Sequence, residues 1–230
     1  MLTKRKKLSK KEIKQDKLVE TYYKLYGFFE ENSQRLLLYG GILVVLVFAI
    51  IFYVNNKKQK NETAGVELAK VMDSYDKGNY VEAIQGVPGT SNIGLKKIVD
   101  EYGSTENGET AKIYLANSYM FQGKTDEAYN VYKDYSGSIN MYKATALAGQ
   151  AAHFVDKKDF KKAADLYEKA ARVSDTDVLN PNYLLKAGIN YMKSGNNTDA
   201  KALFEKVQDN YKNSSAAREV PRYIAQVDQN

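Results

Sequence analysis

The chain has no cysteine. That excludes disulfides, zinc–thiolate and iron–sulfur ligation, a thiol nucleophile and attachment through a lipidated cysteine. It leaves the compartment open, because a chain without thiols is indifferent to redox potential. The single histidine, His153, leaves no second imidazole for a two-histidine metal site. Tryptophan is absent as well, whereas 19 Tyr and 8 Phe supply aromatic rings suited to packing helices. Excess charge of one sign is scarce outside the N-terminus. Over 230 residues, 34 Lys+Arg face 28 Asp+Glu, and residues 1–35 hold ten of the basic and five of the acidic groups. The remainder carries a net charge of only +1. A body built around a nucleic-acid-binding surface is therefore not indicated. The length is that of one or two domains.

What is present begins with an apolar run. Residues 36–54 read LLLYGGILVVLVFAIIFYV, 19 residues without charge or proline. At about 1.5 Å per residue such a helix matches the hydrocarbon core of a bilayer. Fourteen of these residues are Leu, Ile, Val or Phe, and together they favour insertion by roughly 4–8 kcal/mol. Tyr39, Phe52 and Tyr53 lie near the ends, and Arg35, Lys57 and Lys58 bracket the run. The preceding segment is long for a signal n-region, and NNKKQKNETAG offers no small-x-small cleavage site. The pattern predicts an uncleaved single transmembrane helix. The ten basic residues of the tail predict a cytoplasmic N-terminus, with the larger domain outside the cytoplasm.

The expected organisation is a basic cytoplasmic tail at 1–35, a span at 36–54, a juxtamembrane linker at 55–62 and a helical domain at 63–230. Within the tail, Leu18, Tyr22, Leu25, Tyr26 and Phe29 recur at helical spacing opposite Lys17, Glu20, Lys24 and Glu31. An amphipathic helix there would lie on the inner leaflet or on a partner helix, and KRKK at 4–7 suits anionic lipid. A solvated tail acting only as a topology signal is the alternative.

The rest of the chain repeats. GNYVEA, GKTDEA, KDFKKA and GNNTDA end at Ala83, Ala128, Ala163 and Ala200, spaced 45, 35 and 37 residues apart. Four residues after the alanine stand Tyr132, Tyr167 and Phe204; nine before it stand Tyr119, Phe154 and Tyr191. Twelve before it stand the small residues Ala116, Ala151 and Gly188. Small residues let helices approach, and aromatics fill the wedge between neighbouring pairs. The first repeat is weaker, with Val71, Ser74 and Val87 in the matching places. Gly86-Val87-Pro88-Gly89 should end its second helix, and residues 91–102 should add an extra helix. Asn180-Pro181 reads as an N-cap followed by proline opening repeat four. Residues 214–226 read as a terminal helix, kinked or restarted at Pro221, that covers the last repeat.

These positions resemble the tetratricopeptide pattern, which implies an all-α fold: one N-terminal transmembrane helix and then an α-solenoid. The order of basic tail, FFEEN at 28–32, single apolar run and repeat helices is similar to the membrane-anchored ancillary subunit family of the bacterial SecYEG translocon. From LKKIVDEYGS onward the chain also resembles related single-span repeat proteins without an assigned role. The resemblance implies a domain in the periplasm, held at the inner membrane, that meets secreted chains or periplasmic chaperones beside the translocon. An envelope-assembly or cell-division scaffold remains open beside it, and a membrane-tethered enzyme is the alternative of another class, disfavoured by the missing site.

Catalytic patterns are missing. Gly123-Lys124-Thr125 lacks the first glycine of a phosphate loop, because Ser118 stands there; the triplet reads as a turn between helices. His153 reads as a structural side chain beside Phe154, and Asp100-Glu101 as adjacent, diverging solvated acids. The expectation is a binding protein and not an enzyme, without cofactor, metal or small-molecule substrate. Carrying over the family's groove positions gives Leu68, Met72 and Tyr75 from repeat one, and Ile113, Asn117, Met120 and Phe121 from repeat two. Repeat three gives Ala152 and Val155; repeat four gives Leu185, Ile189 and Met192. The set is mostly apolar and holds three of the five methionines, a residue favoured on adaptable binding surfaces. It suits extended or helical apolar segments of a partner, unless the chain's own helices or a second copy cover it.

Overall fold

The computed structural model describes residues 10–229, with side-chain surroundings from Lys17 onward. The KRKK run at 4–7 lies outside the described residues. Ten α-helices and no strand occur among the described residues. The chain divides into two compact units, Met1–Asn56 and Lys57–Asn230, and the boundary falls within α1 (Lys10–Asp76).

Among the described residues of the first unit none is buried. An 18-residue window of mean hydropathy 2.8 has none of its residues buried, and it is long and apolar enough to cross a membrane. The linker expected at 55–62 is instead helical within α1. Its Lys, Gln and Glu are good helix formers, and neither Gly nor Pro interrupts them. The packed body also begins before residue 63. Asn61 accepts a hydrogen bond from the Asn107 backbone N–H at 2.7 Å, and its carbonyl accepts from Asn107 Nδ2 at 2.9 Å.

The second unit is a stack of helix pairs. The end of α1 pairs with α2 (Tyr80–Gln85), α4 (Glu106–Phe121) with α5 (Thr125–Lys133), α6 (Asn140–Asp156) with α7 (Phe160–Ala171), and α8 (Asn180–Lys193) with α9 (Asn197–Asn210). One turn joins each pair. Gly78, Gly123, Lys158 and Gly195, each five residues before the central alanine, have φ of 78°, 71°, 60° and 82°. The next residue's N–H, on Asn79, Lys124, Asp159 and Asn196, donates across five residues to Ser74, Tyr119, Phe154 and Tyr191 at 2.9 Å in every case. The left-handed residue donates to the carbonyls of Tyr75, Met120, Val155 and Met192 at 3.0–3.1 Å. This is the Schellman closure, which satisfies the last carbonyls of the first helix. Glycine adopts its left-handed step freely; Lys158 does so against its Cβ.

The four central alanines are fully buried, as are Ala116 and Ala151. At Gly188 a Cβ would lie 2.5 Å from the Phe204 ring, so glycine is what admits that ring. Tyr132 and Tyr167 are 4 % and 5 % exposed.

Repeat one departs from this scheme. α2 has only six residues, stopped by Gly86 at φ 82°, so Val87 lies beyond the helix and not in the aromatic position within it. α3 (Leu95–Tyr102) compensates by burying Leu95 and Ile98. It starts four residues later than expected, because Asn92 Oδ1 accepts from the Gly94 N–H at 3.0 Å and Gly94 sits at φ 83°. Repeat four opens one residue earlier than expected. Leu179 is the cap, and Asn180 is a buried helical residue whose Nδ2 donates to the Ser174 carbonyl at 2.6 Å. α10 (Ser215–Val227) is assigned as one helix across Pro221, with Ser214 Oγ capping the Ala217 N–H at 3.1 Å. It packs on α8 and α9 and buries Ala216, Val220 and Val227.

Candidate functional site

The groove residues lie along each repeat's first helix, and the Schellman turns fix the backbone of its last turn at Tyr75, Met120, Val155 and Met192. The structure sorts them into three classes. Leu68, Ile113 and Leu185 are 8 %, 2 % and 5 % exposed and belong to the hydrophobic cores. Their assignment to an open lining is corrected: at these steps the first helix faces the neighbouring helices. Met72 and Tyr75 are half-buried against the core around Val71 and Leu115. Met120 packs against the Ile113–Tyr132 cluster, and Val155, Ile189 and Met192 against the cluster of the last two repeats. Ala152 is half-buried. Phe121 alone is open, 63 % exposed, with its ring stacked on Tyr80 at a centroid distance of 4.6 Å. Nine of the twelve residues thus divide among three core clusters, and Asn117, Phe121 and Ala152 belong to none of them.

The polar member is committed internally. Asn117 accepts from the Tyr132 hydroxyl at 2.5 Å and donates through Nδ2 to the Tyr75 oxygen at 3.4 Å. Its amide ties three helices together. Tyr75 also meets Tyr114 edge-on at 5.0 Å. Burial pushes the Tyr75 and Tyr132 phenols up, against a lowering hydrogen bond from Asn117 at Tyr75. Burial and a hydrogen bond with Tyr114 raise Tyr142 to about 12. These hydroxyls stay protonated at neutral pH, so this part of the surface is uncharged.

Sequence reasoning missed one buried ionic cluster. Lys112 Nζ contacts Glu109 Oε1 at 3.0 Å, Asp134 Oδ2 at 2.8 Å and the Asp134 carbonyl at 3.1 Å. Glu109 also accepts from the Ser136 backbone N–H and hydroxyl, both at 2.8 Å. Burial works to lower the Lys112 pKa, but Asp134 and Glu109 outweigh it and hold the ammonium above its ordinary value. The cluster borders an open cleft of about 760 Å³. Its ammonium and carboxylate engage each other and the loop after α5, so the arrangement is a clamp on that loop, with no group poised for proton transfer. The signal in the sequence was the Glu109–Lys112 pair, three residues apart and interleaved with Ala111 and Ile113.

His153 is buried, stacked on Tyr129 at 4.4 Å with Nδ1 3.3 Å from Asp126 Oδ1, a packed ring between α5 and α6. Gly123-Lys124-Thr125 forms the α4–α5 turn. Asp100 and Glu101 are exposed. Among the described residues, no group of three or more His, Cys, Asp or Glu is placed to hold a metal ion.

Comparison with known proteins agrees with this geometry. The tetratricopeptide repeat family matches residues 183–214, which is α8 and α9 of the fourth repeat. The fold is similar to a crystal structure of nearly identical TPR-like repeats from a Podosopora anserina protein described as a kinesin light chain. The TM-score is 0.54 at 14 % identity, over 71 % of this chain and 84 % of that one. No curated protein matches in sequence. The chain carries a tetratricopeptide-like solenoid, a fold that serves as a scaffold for protein–protein interaction.

Proposed function

We propose that this chain is a membrane-anchored protein-binding scaffold, an ancillary or chaperone-like subunit at the protein-secretion translocon. In this reading residues 36–54 cross the bacterial inner membrane. The basic tail stays in the cytoplasm, and the repeat body works on the periplasmic side, on secreted chains or on chaperones. The observation that carries it is the pairing, in one chain, of a tetratricopeptide-like stack with an apolar helical run that the protein does not bury. The first supplies a binding surface and the second a fixed address. Phe121 with its Tyr80 stack is the exposed aromatic anchor, and burying such a ring in an interface contributes roughly 1.5–3 kcal/mol.

The test uses the full-length chain in membranes. Phe121→Asp, and separately Met120→Asp with Phe121→Asp, should reduce co-purification of translocon subunits or their clients. Phe121→Asp should leave the melting of the body unchanged, because that ring is largely solvated. Undiminished capture of the same partners by Phe121→Asp in a folded body would refute the groove. Capture of envelope or division proteins without any translocon subunit would refute the placement at the translocon. A reporter active only outside the cytoplasm, fused after Asn230, should be active; silence would refute the orientation.

A further inference from the structure

Ahead of the apolar run, α1 carries a stripe that no other part of the described residues covers. Leu18, Tyr22, Leu25 and Phe29 follow one another at steps of four, three and four, and they are 67 %, 63 %, 54 % and 58 % exposed. The same alternation continues through Asn32, Leu36 and Tyr39, so one stripe enters the span without a change of phase. Steps averaging about 3.5 residues are those at which two helices wind around each other along a common seam.

Charge decides between lipid and a helix as the occupant. From Lys17 to Arg35 the segment holds three basic and three acidic residues, and Lys24 is already paired with Glu20 at 2.7 Å. Within that segment there is no net charge to hold the stripe on anionic headgroups; the tail's excess positive charge lies in the residues before Lys17. Of the residues flanking the stripe, Val19, Thr21, Tyr26, Phe28 and Ser33 are uncharged and only Arg35 carries a charge; in register it faces Gly40 of the second copy, so two identical copies bring no like charges directly together. Asn32 lies on the seam and spends one amide hydrogen on the Phe28 carbonyl at 3.0 Å. A single polar residue on such a seam sets the register by meeting its own equivalent.

We infer that residues 18–36 pair with the same residues of a second copy of this chain, parallel and in register, as a short coiled coil leading into the span. The inference rests on the reading of 36–54 as an anchor, which points both copies the same way and confines them to one plane.

Because the chain has no cysteine, single cysteines can be placed in the full-length protein in native membranes. Under mild oxidation, Tyr22→Cys, Leu25→Cys and Phe29→Cys should give roughly tenfold more disulfide-linked homodimer than Glu20→Cys, Lys24→Cys and Glu31→Cys, because the bond needs Cα atoms about 4.4–6.8 Å apart. Tyr22→Glu with Phe29→Glu should abolish the Leu25→Cys dimer. Equal yields on both faces, or no dimer from the stripe, overturn the pairing. So does an adduct to a different protein, or stripe thiols shielded from a water-soluble maleimide only by phosphatidylglycerol vesicles. Carbonate extraction of the same samples separates the two readings. An anchored chain without stripe-specific dimer refutes the pairing alone, and a chain released by carbonate refutes the anchor.

Discussion

Two helical stretches of this protein carry apolar residues in different measure, 7 of 14 in α8 and 17 of 19 in residues 36–54, and end in opposite situations. In α8, Tyr183, Leu184, Leu185, Ala187 and Tyr191 are buried, and α7, α9 and α10 cover them. In residues 37–54 every residue is exposed. The difference lies in patterning. α8 interleaves its apolar residues with Asn182, Lys186 and Lys193, which point the helix toward a core. The run at 36–54 is apolar on all sides, so no single neighbour could cover it. Hydrophobicity answered by the chain itself makes a fold; hydrophobicity left unanswered needs a bilayer or a partner.

The largest expected effect separates the two stretches directly. Val45→Arg with Leu46→Arg should cost about 5–8 kcal/mol of insertion free energy and release the chain on carbonate extraction. The same pair should leave the melting of the repeat body untouched. Leu184→Arg should do the reverse, unfolding the body while the chain stays with the membrane. Either variant acting in both assays would break the comparison.

Next comes the buried clamp. Lys112→Met leaves Glu109 without its cation and should destabilise the 57–230 body by about 3 kcal/mol. Adding Glu109→Gln should recover part of that loss, as read by chemical denaturation. If the double variant is worse by the sum of the singles, the two groups are not coupled.

The repeat register comes third. Ala163→Leu and Ala200→Leu place extra methylenes where α7 and α9 have fully buried alanines, and each should cost about 1–3 kcal/mol. Unchanged melting for both would refute the helix pairing.

The smallest effect concerns a single turn. Lys158 sits at φ 60° where the other three repeats have glycine. Lys158→Gly removes a steric cost of about 1–2 kcal/mol but adds unfolded-chain entropy, for a net gain of about 0.5 kcal/mol. A small rise in melting temperature checks it; a fall would mean that the Lys158 side chain holds more than its turn costs.

The stack was legible because the alanine, the small residue and the aromatics keep fixed intervals, and each answers a close contact. The turn residue was legible as glycine in three repeats and hidden at Lys158, where the closure of the motif overrides the residue's preference. Repeat one read weakly for a physical reason: Gly86 cuts α2 short and α3 supplies Leu95 and Ile98 instead, so the intervals no longer apply. The groove was legible only in part. Spacing places a side chain on a face, but whether that face is open depends on the next helix, and this buried Leu68, Ile113 and Leu185. The Glu109–Lys112–Ser136 clamp joins residues more than twenty apart, a contact that no local pattern records.

In the proposed reading, the repeat body of an anchored chain holds protein partners through its exposed aromatic edge at Phe121 and Tyr80. Photo-crosslinking from position 121 in the full-length protein, in native membranes, tests it most directly, with the exposed Lys206 on α9 as the control position. Position 121 should give discrete adducts that contain translocon subunits or secreted chains, and position 206 none of these. The same adducts from both positions, or none from 121, would contradict it.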